Sequence, residues 1–319
     1  MNVQKDDKPT LYYMVGLPGS GKSTIAQKLA HQNNASIHSS DSIREEYNNE
    51  ICNQKVFNIL HKRIKQDLID GKNCIYDATN IYSKRRIAFL RGLNKIPCYK
   101  ECILVALPYE KCLENNKNRD RKVPEEVIER MYKSFHIPYW YEGWDAIHIE
   151  YNGYEGTNGF PIRVIDKYID FNQDNSHHEL TLGEHLKQTL LYIQSEQNLN
   201  KRDPKDILLR QSAVLHDCGK PFVKDFHNAK GEPSKNAHYY NHQYVGAYES
   251  LFYNMGLSKP LDVAVRVMWH MQPYFWERDS NFKMQKKYYY LWGEELYNDI
   301  MSLHEADVHA HNDCVSIGW

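Results

Sequence analysis

Apolar positions along this 319-residue chain follow two different rhythms. Up to about Ile169, short apolar runs alternate with stretches of helical spacing. Leu11-Tyr12-Tyr13-Met14-Val15, Ile75-Tyr76, Ile103 to Leu107, Ile147 to Ile149 and Ile162 to Ile165 read as buried strands, and Ser23 to Ala30 reads as a helix. That alternation predicts an α/β domain built on a parallel sheet. From Leu182 the spacing turns helical: Leu186, Leu190 and Ile193, then Ile207 to Leu215, then Leu261 to Met268. This predicts an all-α second domain. The polar run from Asp170 to Ser176 separates the two, giving domains 1–172 and 173–319.

Length and composition agree with two domains, since a single core rarely organises so long a chain. With 40 basic and 41 acidic residues, the formal net charge of −1 excludes a polycation that coats long nucleic acid. Recognition of a short end or a small molecule stays open. The 7 cysteines are scattered, which predicts a reducing, cytoplasmic setting, and Cys98 with Cys102 is spaced wrongly for a zinc knuckle. No apolar run approaches the roughly 20 residues that span a bilayer, so no membrane segment is expected.

The first chemistry-bearing motif is Gly16-Leu-Pro-Gly19-Ser20-Gly21-Lys22-Ser23-Thr24, between the first strand and the first helix. Its glycines let backbone N–H groups turn toward phosphate oxygens at a helix N-terminus. Lys22 reaches the outer phosphates and Ser23 offers a hydroxyl to Mg²⁺, so this domain is expected to bind ATP or another nucleoside triphosphate. Ser40-Asp41-Ser-Ile-Arg44 falls where a second strand should end. Asp41 is the candidate base for an attacking hydroxyl, and Arg44 the clamp on an acceptor phosphate. Asp77, in Asp77-Ala-Thr-Asn80, is a candidate for holding Mg²⁺ through water. The basic segment 115–122 reads as a lid whose Arg119 and Arg121 close over the transferring phosphoryl group.

In the second domain, His216-Asp217-Cys-Gly-Lys220-Pro closes a strongly apolar helix. A histidine beside a carboxylate supplies one nitrogen ligand and an acid able to bridge two metal ions. Thr181-Leu-Gly-Glu184 reads as a capping box, with His185 in the turn after it. His242, His270 and Asp307 follow. Mixed nitrogen and oxygen ligands admit Mn, Co, Ni or Fe, and Lys220 is placed to stabilise charge on a phosphate oxygen.

The loop, Asp41-Ser-Ile-Arg44, Asp77-Ala-Thr-Asn80 and the basic lid together resemble the phage-type polynucleotide 5′-hydroxyl kinases, over about half the chain. The resemblance implies ATP and metal binding by Lys22 and Ser23, a general base in Asp41, an acceptor contact in Arg44 and an ATP contact in Arg119. Where that family often opens its lid with Arg-Asn, this chain has Asn115-Asn116. From about Ser176 onward, the order His185, His216-Asp217, His242, His270, Asp307 resembles the HD superfamily of metal-dependent phosphohydrolases. It implies a first metal on His185, His216, Asp217 and Asp307, and a second permitted by His242 and His270.

The pairing resembles bifunctional enzymes that heal nucleic-acid ends, RNA in preference to DNA, with a separate RNA ligase as a partner. Two alternatives remain: a small-molecule or nucleoside kinase fused to a nucleotide phosphohydrolase, and an ATP-sensing module that regulates an HD hydrolase.

Overall fold

The computed structural model of the chain describes residues 8–175, 179–196, 203–253, 259–278, 280 and 282–311. It forms two compact units, Met1–Tyr132 with Pro138–Glu155, and Lys133–Ile137 with Gly156–Trp319.

In the first unit, β1 (Thr10–Val15) is buried along its whole length, as a strand covered on both faces must be. There follow α1 (Lys22–Asn33), β2 (Ser36–Ser39), α2 (Ser40–Glu46), α3 (Asn53–Ile69), β3 (Cys74–Asp77), α4 (Ser83–Arg91), β4 (Tyr99–Val105), α5 (Tyr109–Lys117), α6 (Glu125–Tyr132) and β5 (Ala146–Glu150). The sheet runs β2-β3-β1-β4-β5 with every pair parallel. From β1 the chain goes to the edge strand β2, returns to β3 between the two, and then crosses, at β4, to the other side of β1. At such a switch the loops beyond the strand ends diverge and leave a crevice. Tyr12, Met14, Ile25, Ala26, Ile75, Ile103 and Val105 form the core beneath it.

A buried ion pair braces the loop after β3. Arg86 of α4 meets Glu142 through two N–H···O contacts of 2.7 Å, with both side chains wholly shielded from solvent. Glu142 also accepts from Trp144 Nε1 at 3.0 Å, and Arg86 donates to the Asn80 carbonyl at 2.9 Å.

The second unit contains α7 (Arg163–Lys167), α8 (Leu182–Glu196), α9 (Pro204–Leu215), α10 (Lys220–Val223), β6 (Asp225–His227), β7 (Pro233–His238), α11 (His242–Ser250), α12 (Pro260–Trp269), α13 (Gln272–Arg278), α14 (Phe282–Trp292) and α15 (Glu294–His311). Ile193, Leu209, Ala213, Leu303 and Ala306 bring α8, α9 and α15 together in a core. The capping box forms: Thr181 N and Oγ1 both donate to Glu184 at 2.9 Å, and Glu184 N donates to Thr181 Oγ1 at 3.3 Å.

Three features depart from the sequence expectation. Ile162 to Ile165 is no strand; it enters α7, and the Val164 amide already bonds back to the Pro161 carbonyl at 3.0 Å. A four-residue apolar run cannot tell a strand from one helical turn. The second unit is not purely helical, because β6 and β7 pair as an antiparallel hairpin. The compact units part at Glu155/Gly156 rather than 172/173. α7 joins the second unit because the Leu182 and Gly183 amides bond to the Phe171 and Tyr168 carbonyls at 2.9 and 2.8 Å.

Candidate active sites

In the first unit the turn from β1 into α1 closes tightly. Gly19 and Gly21 have φ of 82° and 90°. A Cβ on Gly19 would lie 2.1 Å from the Cys112 carbonyl oxygen, so only glycine lets the loop pass α5. Asn115 Nδ2 and Asn152 Nδ2 donate to the carbonyls of Gly19 and Ser20 at 2.9 and 3.1 Å. Gly16 N donates to the Thr79 carbonyl at 3.1 Å, fixing the loop to the end of β3. α1 has no acidic residue in its first turn and no side-chain cap, so its N-terminal N–H groups remain available to an anion.

A cavity of about 650 Å³ opens over this loop, lined by Gly19, Gly21, Lys22, Ser23, Thr24, Asp41, Arg44, Asp77, Arg119 and Arg121, among others. Gly16 and Ser20 do not line it. Lys22 Nζ bonds to the Leu17 carbonyl at 2.7 Å, and burial lowers its pKa to about 8, against the opposing pull of Asp77. Ser23 Oγ donates to Asp77 Oδ2 at 2.8 Å. A hydroxyl and a buried carboxylate side by side form the hard oxygen set that suits Mg²⁺.

Asp41 lies in the first turn of α2, where its N–H bonds to Ser39 Oγ at 3.2 Å. Its Oδ1 accepts from Arg44 Nη1 at 2.9 Å and from Arg121 Nη1 at 3.0 Å. Arg44 also reaches Asn53 Oδ1 at 3.0 Å. The lid is latched by Asn116, whose side chain exchanges two hydrogen bonds with the Val123 backbone, at 2.8 and 3.0 Å.

In the second unit four helices and the turn after α9 bring six donors together. His185, His216, Asp217 and Asp307 form one buried group, and Asp217, His242 and His270 another; within each, the donor atoms lie within 4.8 Å of one another. Asp217 faces both. Its Oδ2 is 3.4 Å from the Nε2 atoms of His185 and His216, while its Oδ1 is 3.1 Å from His242 Nε2 and 3.5 Å from His270 Nε2. Asp307 Oδ1 completes the first group at 3.1 Å from His185 Nε2. Gly219 makes the turn possible, since a Cβ there would come 2.1 Å from the His242 carbonyl oxygen.

The donor chemistry fits a cation. His242 and His270 each place Nδ1 2.7 Å from a backbone carbonyl, of Tyr239 and Val267 respectively. A carbonyl only accepts, so Nδ1 carries the proton in both rings. Burial favours the neutral form of His270, whose Nε2 then presents a lone pair 3.2 Å from His242 Nε2, an arrangement that suits a positive ion. His216 is held the same way, Nδ1 against the Ala213 carbonyl at 2.7 Å. Burial opposes a charge on His216, but Asp217 and Asp307 overcome it and lift its pKa to about 10. Burial also disfavours ionised Asp217, yet Lys220 and His216 hold its carboxyl well below the usual range. Burial keeps His270 low. Lys220 Nζ lies 2.7 Å from Asp217 Oδ2 and 2.8 Å from Gln173 Oε1.

Sequence reasoning missed Asn115, Asn116, Asn152, Asn53 and Gln173. Isolated amides far apart along the chain carry no local signature; Asn115-Asn116 stood in the lid segment and Gln173 in the polar run between the domains, neither read as a contact.

Residues 11–138 match the sequence family described as an AAA domain. Among curated relatives, the L-seryl-tRNA(Sec) kinase of Methanococcus maripaludis is 28% identical over 247 residues, 70% of this chain and 92% of that protein. Among solved structures, a gluconokinase from Sinorhizobium meliloti is similar with a TM-score of 0.34 and 12% identity, over 45% of this chain and 84% of that one. The APS kinase CysC of Mycobacterium tuberculosis is similar with a TM-score of 0.34 and 15% identity, over 46% and 91%. The family match spans the loop, Asp41, Asp77 and the lid. The first unit thus has the α/β P-loop kinase fold, and its cavity supports phosphoryl transfer of the P-loop kinase type.

Proposed function

We propose that this chain heals nucleic-acid ends, with a 5′-hydroxyl kinase in its first unit and a metal-dependent 2′,3′-cyclic and 3′-phosphate hydrolase of the HD type in its second. The observation that carries the reading is one chain holding both a triphosphate cavity with Asp41 and Arg44 at its rim and a buried six-donor cluster around one two-faced carboxylate. RNA cleavage that leaves a 5′-hydroxyl and a cyclic phosphate demands that pair of chemistries before an RNA ligase can act.

In the kinase reaction the acceptor oxygen bonds to the γ-phosphorus of ATP as the bond to the β–γ bridging oxygen breaks, and ADP leaves. Asp41 takes the hydroxyl proton, while Lys22, Arg119 and Arg121 offset charge on the phosphoryl oxygens. Ser23 and Asp77 would hold Mg²⁺. In the second unit His185, His216, Asp217 and Asp307 would hold one divalent ion, and His242 and His270, sharing Asp217, a second. Such ions supply Lewis-acid polarisation of a phosphate and activation of water. Lys220 anchors Asp217 and adds positive charge beside the phosphate.

A second reading follows from the 28% identical relative, whose name gives L-seryl-tRNA(Sec) as its acceptor. There the kinase would phosphorylate an aminoacyl group. Transfer of label from γ-labelled ATP separates the two: label on a 5′-hydroxyl oligonucleotide supports end healing, and label on seryl-tRNA alone replaces it. Phosphate release from a 3′-phosphate RNA with Mn²⁺ or Co²⁺ tests the second unit, and its absence would remove that half.

A further inference from the structure

α3 carries two stripes of side chains at four-residue spacing. Val56, Leu60, Ile64 and Leu68 are buried beneath it, whereas Asn53, Phe57, His61 and Lys65 lie on the adjoining face. Tyr82, just before α4, and Arg85 and Phe89 within it line the same space, and Tyr13 and Tyr76 of the sheet lie in it as well. The result is a cavity of about 590 Å³. Its rings are in mutual contact: His61 lies 4.5 Å from Phe89, 5.6 Å from Tyr76 and 6.2 Å from Phe57. His61 Nε2 is 2.9 Å from the Tyr76 hydroxyl.

Two properties define what this space accepts. Among its described lining residues are three cations, Arg44, Lys65 and Arg85, and no carboxylate. Burial, with Lys65 nearby, brings the pKa of His61 down to about 4, so its ring is a neutral flat face. Arg85 lies over the Tyr82 ring at 5.1 Å, presenting a cation and a stacking face together. The cavity shares Arg44, Asn53, Phe57, Thr79 and Met131 with the triphosphate cavity, so the two adjoin.

We propose that this ring-lined cavity is the acceptor subsite, selecting an acceptor in which a planar base and a phosphate stand beside the reacting hydroxyl. The proposal rests on the end-healing reading and identifies which residues would impose it. A sugar or a hydroxy amino acid is selected by side chains that bond each hydroxyl. Here rings, on which any base can stack, line the space beside Thr79 and three amides that already hold other partners, Asn53 with Arg44, Gln54 with Asn58 and Asn80 with the Met14 carbonyl. Arg85 and Lys65 suit the phosphodiester that follows.

The test compares 5′-hydroxyl oligonucleotides whose first residue carries a base or is abasic. Wild-type enzyme is expected to show a KM roughly tenfold higher for the abasic end, with kcat little changed. Tyr82→Ala should raise KM for the base-bearing end by a similar factor and leave the abasic end unaffected, while Tyr82→Phe stays near wild type. ATP affinity of Tyr82→Ala, measured by direct binding, should be unaltered, which shows that the variant is folded. Equal use of both ends by wild type, or an equal effect of Tyr82→Ala on both, overturns the ring-selecting subsite and leaves the kinase reading standing. Phosphorylation of seryl-tRNA or a sugar with no oligonucleotide end accepted overturns both.

Discussion

At the scale of single residues the two sites depend on opposite uses of burial. In the first unit burial loosens the proton on Lys22, whose pKa falls to about 8. Below that pH the ammonium is present for the phosphates; above it the free amine is neutral, and ATP affinity should fall as pH rises from about 7.5 to about 9.5. Lys22→Arg, charged throughout that range, should flatten the dependence. Binding titrations across pH would show it, and a flat wild-type profile would contradict the role given to Lys22. Asp41→Asn should lower kcat roughly 10²- to 10⁴-fold, with ATP affinity nearly unchanged, because only the proton acceptor is lost. In the second unit burial gathers like donors that need a cation. Mn²⁺ should therefore raise the thermal midpoint of the wild-type protein by mass action. The same titration on Asp217→Ala should give no shift, since that carboxylate serves both groups of donors.

At the scale of elements, contiguous motifs and chemistry-bearing residues in a familiar order were legible, and isolated side chains that act across the fold were not. The phosphate loop reads directly because its glycines, lysine and serine are contiguous and its chemistry is largely backbone. The six donors of the second unit were legible in order, and the structure brings all of them together. The amides that hold the loop, Asn115 and Asn152, come from α5 and from the segment after β5; Asn115 sits in the recognised lid segment with nothing to show that it reaches Gly19, and nothing near Asn152 in sequence marks it. α7 was misread because Ile162 to Ile165 is too short to show a period. The β6–β7 hairpin was missed because its strands are mostly exposed and lack the apolar alternation that signals a half-buried strand. Nothing local marks Arg86 as half of a buried ion pair, because its partner Glu142 lies 56 residues away. Glu142→Gln leaves a buried guanidinium without its counter-charge and should cost about 3–5 kcal/mol of stability in urea unfolding. Replacing both partners with apolar residues should recover much of that loss; equal destabilisation by the single and double changes would show that the charge pairing is not what matters.

At the scale of the whole molecule, a formal net charge of −1 means that nucleic acid can be held only locally. Among the described residues no helix is long and apolar enough to cross a membrane. If Arg44, Lys65 and Arg85 supply the phosphate contacts, oligonucleotide affinity should fall with salt at a log–log slope of about −2, shallow for a nucleic-acid protein. A slope near −6 would require a basic surface that the composition does not provide. The two chemistries should also separate by mutation: Lys22→Ala removes phosphoryl transfer and spares metal-dependent phosphate release, and Asp217→Ala does the reverse. The most direct test offers γ-labelled ATP and Mg²⁺ to the protein with a 5′-hydroxyl oligoribonucleotide and seryl-tRNA present together. End healing predicts label on the oligonucleotide 5′ end, lost with Asp41→Asn; label confined to seryl-tRNA, or none on the oligonucleotide, would contradict it.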